Sequence, residues 1–236
     1  MFWEFMMNKL TYMKDGIISS LEDIDILAKK QTGRILVFSD THSVNPDLLR
    51  EVVENFAQDV DVMLFCGDGI SDLEELIQES MNNEKLKEQL PELIAFVRGN
   101  NDPKNYVLSM PNTEGEEEDF KLVQIDIPES TTFLLAGRRI FATHGHRHSV
   151  NYTMDLLYAI AENLPADMMF YGHTHKAYWE ETQGTLFLNP GSLCLPRGGQ
   201  EPSFAVVSFP GITERYTVEY FTMDKNILGS YVFSKI

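Results

Sequence analysis

The sequence predicts an α/β fold, with a parallel sheet in the first half of the chain and antiparallel strands in the second. Two patterns point there. Short apolar runs at 35–38, 61–66 and 93–97 alternate with segments of helical spacing, which is the signature of strand-helix-strand units. After residue 120 the runs are shorter, and several alternate apolar with polar residues. The length of 236 residues, 43% of them hydrophobic, allows one domain or at most two with a sizeable core.

Each element has its own warrant. Trp3, Met6, Leu10, Met13, Ile17, Leu21, Ile24 and Leu27 recur at steps of three and four, which predicts an amphipathic helix over 3–27, broken in two at Asp15 and Gly16. Residues 1–32 are therefore expected to be a helical extension ahead of a main domain over 33–236. Its apolar stripe either packs on the chain's own core or forms a docking face for a second copy in a homo-oligomer. ILVF (35–38) is a buried strand, and Leu48, Leu49, Val52, Val53 and Phe56 give 46–58 helical spacing. DVMLFC (61–66) and LIAFV (93–97) are further strands, separated by a charged helical stretch over 71–90.

The second half begins with a weak alternating strand at 121–127. TTFLLA (131–136) and RRIFATH (138–144) form a hairpin around Gly137. A helix over 151–163 precedes a buried strand at MMFYG (168–172), and alternating runs follow at 176–182, 185–188, 203–209 and 214–222. Residues 102–120 are expected to be a loop that helps wall the pocket and carries no readable code for the substrate. Within them NTEGEEEDFK (112–121) has a net charge of -4 and is expected to be a solvated loop.

The net charge of -17 excludes a broad surface for nucleic acid or anionic lipid, because such a body repels polyanions over a Debye length. The partner expected is a small molecule. Two cysteines, Cys66 and Cys194, imply no disulfide framework and are expected to be small core residues. No apolar run approaches the roughly 18 residues of a membrane span, and the apolar N-terminus lacks a basic lead, so a cytoplasmic location is expected.

All six histidines fall in three short motifs, each directly after an expected strand: SDTH (39–42), THGHRH (143–148) and GHTH (172–175). GDG (67–69) and GNND (99–102) follow two further strands. In open α/β sheets, ligands bind beyond the carboxyl ends of strands, where these motifs lie. The candidate donors are Asp40, His42, Asp68, Asn100, His144, His173 and His175. Seven exceed the needs of one tetrahedral ion and suit a pair of ions sharing a carboxylate. Nitrogen and oxygen donors without thiolate favour Mn, Fe, Zn, Co or Ni over Ca or Mg.

As an ordered set, DTH, GDG, GNND, THGH and GHTH resemble the calcineurin-like metallophosphoesterase superfamily. THGH with the later NPGS (189–192) and PRGG (196–199) is most similar to its small YfcE-type phosphodiesterase branch. The resemblance spans roughly 34–209 and implies two facing mixed β-sheets flanked by helices, a four-layer αββα sandwich whose catalytic domain is 33–236. It also implies that Asp40, His42 and His175 hold a first ion, that Asn100, His144 and His173 hold a second, and that Asp68 bridges them. The cofactor expected is two divalent transition-metal ions, manganese foremost.

Such a pair lowers the pKa of a bridging water towards neutrality, and the resulting hydroxide attacks phosphorus without any side-chain nucleophile. With both carboxylates and the hydroxide the site carries about +1, which matches a small phosphodiester. Many superfamily members place a histidine where this chain has Asn101, which cannot protonate a leaving group at neutral pH. The candidates beside the reacting centre are thus Asn101 itself and His146, which either protonates the leaving group, orients a ligand or touches phosphate. His148 is as readily an ordinary surface residue. Arg197, in the PRGG loop, is the expected phosphate contact, ahead of Arg98 and Arg147. A phosphomonoesterase or nucleotidase is the rival enzyme. A non-catalytic interaction scaffold on the same fold, as in the retromer subunit that resembles this family, is the rival of another class.

Overall fold

The computed structural model describes residues 12–111, 120–210, 215–227 and 229–236. The three early runs form β3 (Gly33–Phe38), β4 (Val62–Phe65) and β5 (Leu93–Phe96), which pair in parallel with Ile35 opposite Val62 and Val62 opposite Leu93. Their crossovers are α2 (Pro46–Phe56) and then the pair α3 (Ile70–Ser80) and α4 (Glu84–Gln89). Side chains alternate across a strand, so each of these strands feeds two layers. Leu36, Phe38, Met63 and Phe65 pack with Leu49, Val52, Val53, Leu73 and Ile77 of the helices. Ile35, Val37, Val62 and Leu64 point the other way, onto a second sheet.

That second sheet has the order β11-β12-β10-β9-β8. It contains β8 (Ser130–Leu135), β9 (Arg138–Thr143), β10 (Met168–Phe170), β11 (Ala177–Thr182) and β12 (Thr185–Pro190). Phe133, Leu135, Ile140, Ala142, Met168, Phe170, Leu186 and Leu188 face the large sheet. Phe141, Met169 and Phe187 face away and cover Leu157 of α5 (Asp155–Asn163). The layers are helix, sheet, sheet, helix. Many of these side chains are fully buried, and each contributes about 1.5–3 kcal/mol relative to exposure.

The structure departs from the expected pattern in four places. First, residues 12–19 are not helical. They form a hairpin of β1 (Tyr12–Lys14) and β2 (Ile17–Ser19), and only α1 (Leu21–Lys29), with Ser20 capping its N-terminus, is helical. The helix break expected at Asp15 and Gly16 is a two-residue turn with φ of 54° and 76°, the left-handed pair that joins twisted strands. A side chain at Gly16 would meet the Phe96 carbonyl oxygen at 2.3 Å. β2 pairs antiparallel with β5, and the carbonyls of Leu27 and Ala28 accept from Ala136 and Gly137, so these residues complete the sandwich. The part of the expected helix over 1–11 lies outside the described residues.

Second, the expected loop over 102–120 contains β6 (Asn105–Pro111), paired with β7 (Phe120–Asp126) in a separate two-stranded ribbon. The acidic residues 112–119 lie outside the described residues. Third, the later strands are not all antiparallel, since β10 pairs in parallel with both β9 and β12. Fourth, a strand was not expected at β15 (Tyr231–Lys235). It pairs with β14 (Thr217–Lys225), which extends β13 (Ser203–Phe209), giving the large sheet the order β1-β2-β5-β4-β3-β13-β14-β15. Among the described residues no helix is long and apolar enough to cross a membrane.

Candidate metal centre

Five loops leave the carboxyl ends of parallel strands on both sheets and converge. Asp40 and His42 follow β3, Asp68 follows β4, Asn100 to Asp102 follow β5, His144 to His148 follow β9, and His173 and His175 follow β10. Asp40, His42, Asp68, His173 and His175 all have left-handed backbones, with φ between 52° and 68°. Each such residue costs of order 1–3 kcal/mol unless its surroundings over-determine it. The surroundings do so with hydrogen bonds. Asp102 accepts the N–H groups of Asp68, Gly69, Ile70 and Gly99 at 2.8–3.0 Å, fastening two motif loops together. Ser192 donates its hydroxyl to the Asp40 carbonyl at 2.6 Å, and Asn189 donates to the Gly172 carbonyl at 2.8 Å. The loops pack so tightly that a side chain at Gly99 would meet Asp68 Oδ1 at 2.0 Å.

The side chains form two overlapping groups, Asp40 with His42 and His175, and Asp40 with Asp68 and His144. Within each, one donor atom per residue lies within 4.8 Å of the others. Asp40 Oδ1 is 3.3 Å from His175 Nε2, 3.8 Å from His42 Nε2 and 3.9 Å from His144 Nε2. Asp68 Oδ2 is 3.4 Å from His144 Nε2 and 3.9 Å from His42 Nε2. Both carboxylates therefore lie between the two sides.

The ring orientations are set from behind. His144 Nδ1 is 2.7 Å from the Cys66 carbonyl and His175 Nδ1 is 2.6 Å from the Leu195 carbonyl. A carbonyl only accepts, so Nδ1 carries hydrogen in both rings and Nε2 is turned into the cluster, as in metal-binding histidines. Asp40 Oδ1 and His144 Nε2 are buried and have no hydrogen-bond partner, although both face the same space. A buried polar atom without a partner is costly. A cation between these atoms removes that cost, so the residues present fit metal.

The electrostatics set the two carboxylates apart. Burial pushes the Asp40 carboxyl up to about 7, against the pull of the His144 charge. Burial also acts on Asp68, but the charge of His144 and the hydrogen bonds from Asn101 outweigh it and hold its carboxyl below the usual range. His144 is raised by Asp68, Asp40 and the Cys66 carbonyl, which together overcome a larger effect of burial. His173 is pushed down to about 4, by burial first and then by the positive charge of His144.

Other expected residues sit less centrally. His173 donates its backbone N–H to Asp40 Oδ2 at 3.0 Å, but its ring Nε2 lies 2.9 Å from Asn151 Nδ2. Asn100 is exposed and has no hydrogen bond to the cluster among the described residues. Its neighbour Asn101 instead donates its backbone N–H and Nδ2 to the two oxygens of Asp68, at 2.8 and 2.7 Å. The His146 ring is 5.4 Å from that of His144. His148 Nδ1 lies 3.5 Å from the Thr143 hydroxyl, away from the donors. The Arg197 backbone N–H donates to the His175 carbonyl at 3.0 Å, and its charge helps lower His175 after burial. Cys66 is buried, Cys194 is partly so, and neither belongs to the cluster.

Asp102, Asn189, Ser192 and Asn151 were not singled out from sequence as parts of the site. Asp102 closes the GNND motif, while Asn189 and Ser192 lie in NPGS, so motif membership was the available signal. Asn151 has none.

A two-sheet sandwich with carboxylates and imidazoles gathered at its strand ends is the arrangement of a metal-dependent phosphoesterase. The family model for the calcineurin-like phosphoesterase superfamily domain matches residues 34–210, and the chain belongs to that superfamily. Within it, similarity runs to the small YfcE-type branch. The chain is 31% identical over 193 residues to "Probable metallophosphoesterase YsnB" of Bacillus subtilis, covering 81% of this chain and 92% of that protein. It is 30% identical over 185 residues to "Phosphodiesterase YfcE" of Escherichia coli K12, covering 74% and 86%. A Streptococcus pneumoniae TIGR4 structure described as a predicted phosphoesterase matches with a TM-score of 0.58 at 25% identity, covering 88% of this chain and 99% of that one. Vacuolar Protein Sorting 29 from Cryptosporidium parvum shares the fold, with a TM-score of 0.60 at 20% identity over 88% of this chain and 98% of that one.

Proposed function

We propose that the chain binds two divalent transition-metal ions, manganese foremost, and hydrolyses a small phosphodiester. The observation that carries this is the pair of buried, partnerless atoms, Asp40 Oδ1 and His144 Nε2, 3.9 Å apart, with His42, Asp68 and His175 grouped around them. Asp40, His42 and His175 would hold one ion, and His144, His173 and Asn100 the other, with Asp68 between them. When bound, the ions supply Lewis acidity towards phosphoryl oxygens and a water of near-neutral pKa.

The chain's own residues do the remaining work. Asn101 presents two donors to Asp68, keeps it ionised and fixes its orientation. Cys66 and Leu195 carbonyls hold the His144 and His175 rings in one tautomer. An amide cannot protonate a leaving oxygen, so Asn101 supports diesters with good leaving groups, such as aryl diesters, over alkyl ones and over monoesters. Arg197, fixed by its backbone to His175, is the candidate contact for a phosphoryl oxygen. The likeness to Vacuolar Protein Sorting 29 favours a second reading, a non-catalytic scaffold; the retained donor set counts against it.

The test is an activity panel on metal-stripped protein, with Mn, Fe, Zn, Co and Ni added back singly and aryl phosphodiester compared with aryl monoester. The expected result is restoration of diester hydrolysis, best with Mn. No turnover with any ion would remove the enzymatic reading.

A further inference from the structure

Glu129 belongs to none of the motifs, yet it sits where two of them meet. It lies in the short link between β7 and β8. The link is pegged on both sides. The Pro128 carbonyl accepts the Arg98 N–H at 2.7 Å, and the Glu129 carbonyl accepts the Thr143 hydroxyl at 3.0 Å. The carboxylate is thereby fixed between the loop that follows β5 on the large sheet and the loop that follows β9 on the small one.

Three basic groups converge on it. Glu129 Oε1 pairs with Arg98 Nη2, and Arg147 Nη2 lies 3.1 Å from the same oxygen. Oε2 faces His146 Nε2 at 3.6 Å. The His146 ring is 5.4 Å from that of His144 and 6.2 Å from that of His173, so this knot of charge lies at the edge of the donor cluster. Arg98, which immediately precedes GNND, and Arg147 of THGHRH are the positive charges at that edge. Alone they carry +2, which suits a dianion. With Glu129 they carry +1, which suits a monoanion.

We infer that Glu129 is a specificity-determining residue: by neutralising one of the two arginines beside His146, it sets the edge of the site for a singly charged phosphodiester and against a doubly charged monoester. The inference rests on the phosphoesterase reading and deepens it by assigning substrate charge selection to a residue outside the motifs. One unit charge at this range is worth about five- to tenfold in the relative affinity of a dianion over a monoanion.

The experiment compares the Mn-loaded wild type with Glu129→Gln and Glu129→Asp. It measures kcat and KM for an aryl monoester and an aryl diester, and inorganic phosphate affinity by calorimetry at pH 8. Glu129→Gln is expected to raise the monoester-to-diester ratio of kcat/KM by about fivefold, mainly through KM, and to tighten phosphate by a similar factor. Glu129→Asp, which keeps the charge, is expected to restore the wild-type ratio. A fall in both substrates together, with ratio and phosphate affinity unchanged, would show a bracket with no say in selectivity and would overturn the inference. If Glu129→Gln does not fold, Arg147→Gln makes the opposite charge change at an exposed side chain and should weaken phosphate about fivefold; unchanged affinity there overturns the inference equally. Should the wild type hydrolyse neither ester, the phosphoesterase reading fails by itself, and the phosphate arm still decides the role of Glu129.

Discussion

The two sides of the donor cluster are built to different standards. On one side Asp40 and His175 are buried, His42 Nε2 is 3.1 Å from His175 Nε2, and a backbone carbonyl fixes the His175 ring. On the other side only His144 is held that way. The His173 Nε2 is engaged by Asn151 and Asn100 is exposed. A site whose donors are already pointed and dry loses little freedom on binding, whereas one whose donors must turn spends part of its binding energy on that turn. The expected consequence is two ion sites of unequal strength, the first formed in advance and the second completed on loading.

Asp40 is common to both groups and gives the largest effect. Asp40→Ala should remove both ions, as read by elemental analysis, and lower turnover by at least about a thousandfold. Retention of one ion at full occupancy would show that the two groups do not share this carboxylate. Asp68→Asn removes the charge on the other central carboxylate and should likewise abolish turnover; activity within tenfold of wild type would remove the two-ion mechanism.

Asp102→Ala tests the scaffold on which the comparison depends. It leaves four backbone N–H groups without their acceptor, and denaturation in a chelator should show a loss of about 2–4 kcal/mol. A loss below about 0.5 kcal/mol would mean that water replaces it freely. Calorimetric titration of stripped protein with Mn should resolve two steps differing by about tenfold or more in affinity, and a single two-ion step would erase the distinction. Asn151→Ala is the smallest change and runs the other way. Freeing the His173 ring should tighten the second step by about threefold and leave the first alone. A change confined to the first step would place His173 on the opposite side.

Much of this was legible in the chain because the signals are local. β3, β4 and β5 are apolar runs bounded by glycine motifs, and a histidine-bearing motif directly after a strand fixes its position at the carboxyl edge. The hairpin at 12–19 carries a false helical signal, because Met13, Ile17 and Leu21 also recur at helical steps and a two-residue turn at Asp15 and Gly16 resembles a helix break. β6 has no local signal, since its pairing with β7 joins segments separated by a charged stretch. Which of Asn100 and Asn101 faces Asp68 depends on the path of the backbone after Gly99, where a one-residue shift exchanges the two side chains. Asp102 lies within GNND, but its role as acceptor of four backbone amides has no spacing signature, and the remote arginines that pair with Glu129 leave none either.

Each donor group draws on both sheets, Asp40, His42 and Asp68 from one and His144 and His175 from the other. Anything seated there works as a rivet through the middle of the sandwich, joining layers otherwise held by apolar contact. Ligands that bind only the folded state protect it in proportion to their concentration, so the lifetime of this chain against proteases should follow the supply of free metal. Starvation for metal would then reduce the amount of protein as well as its activity, with the strained loops at the strand ends giving way first.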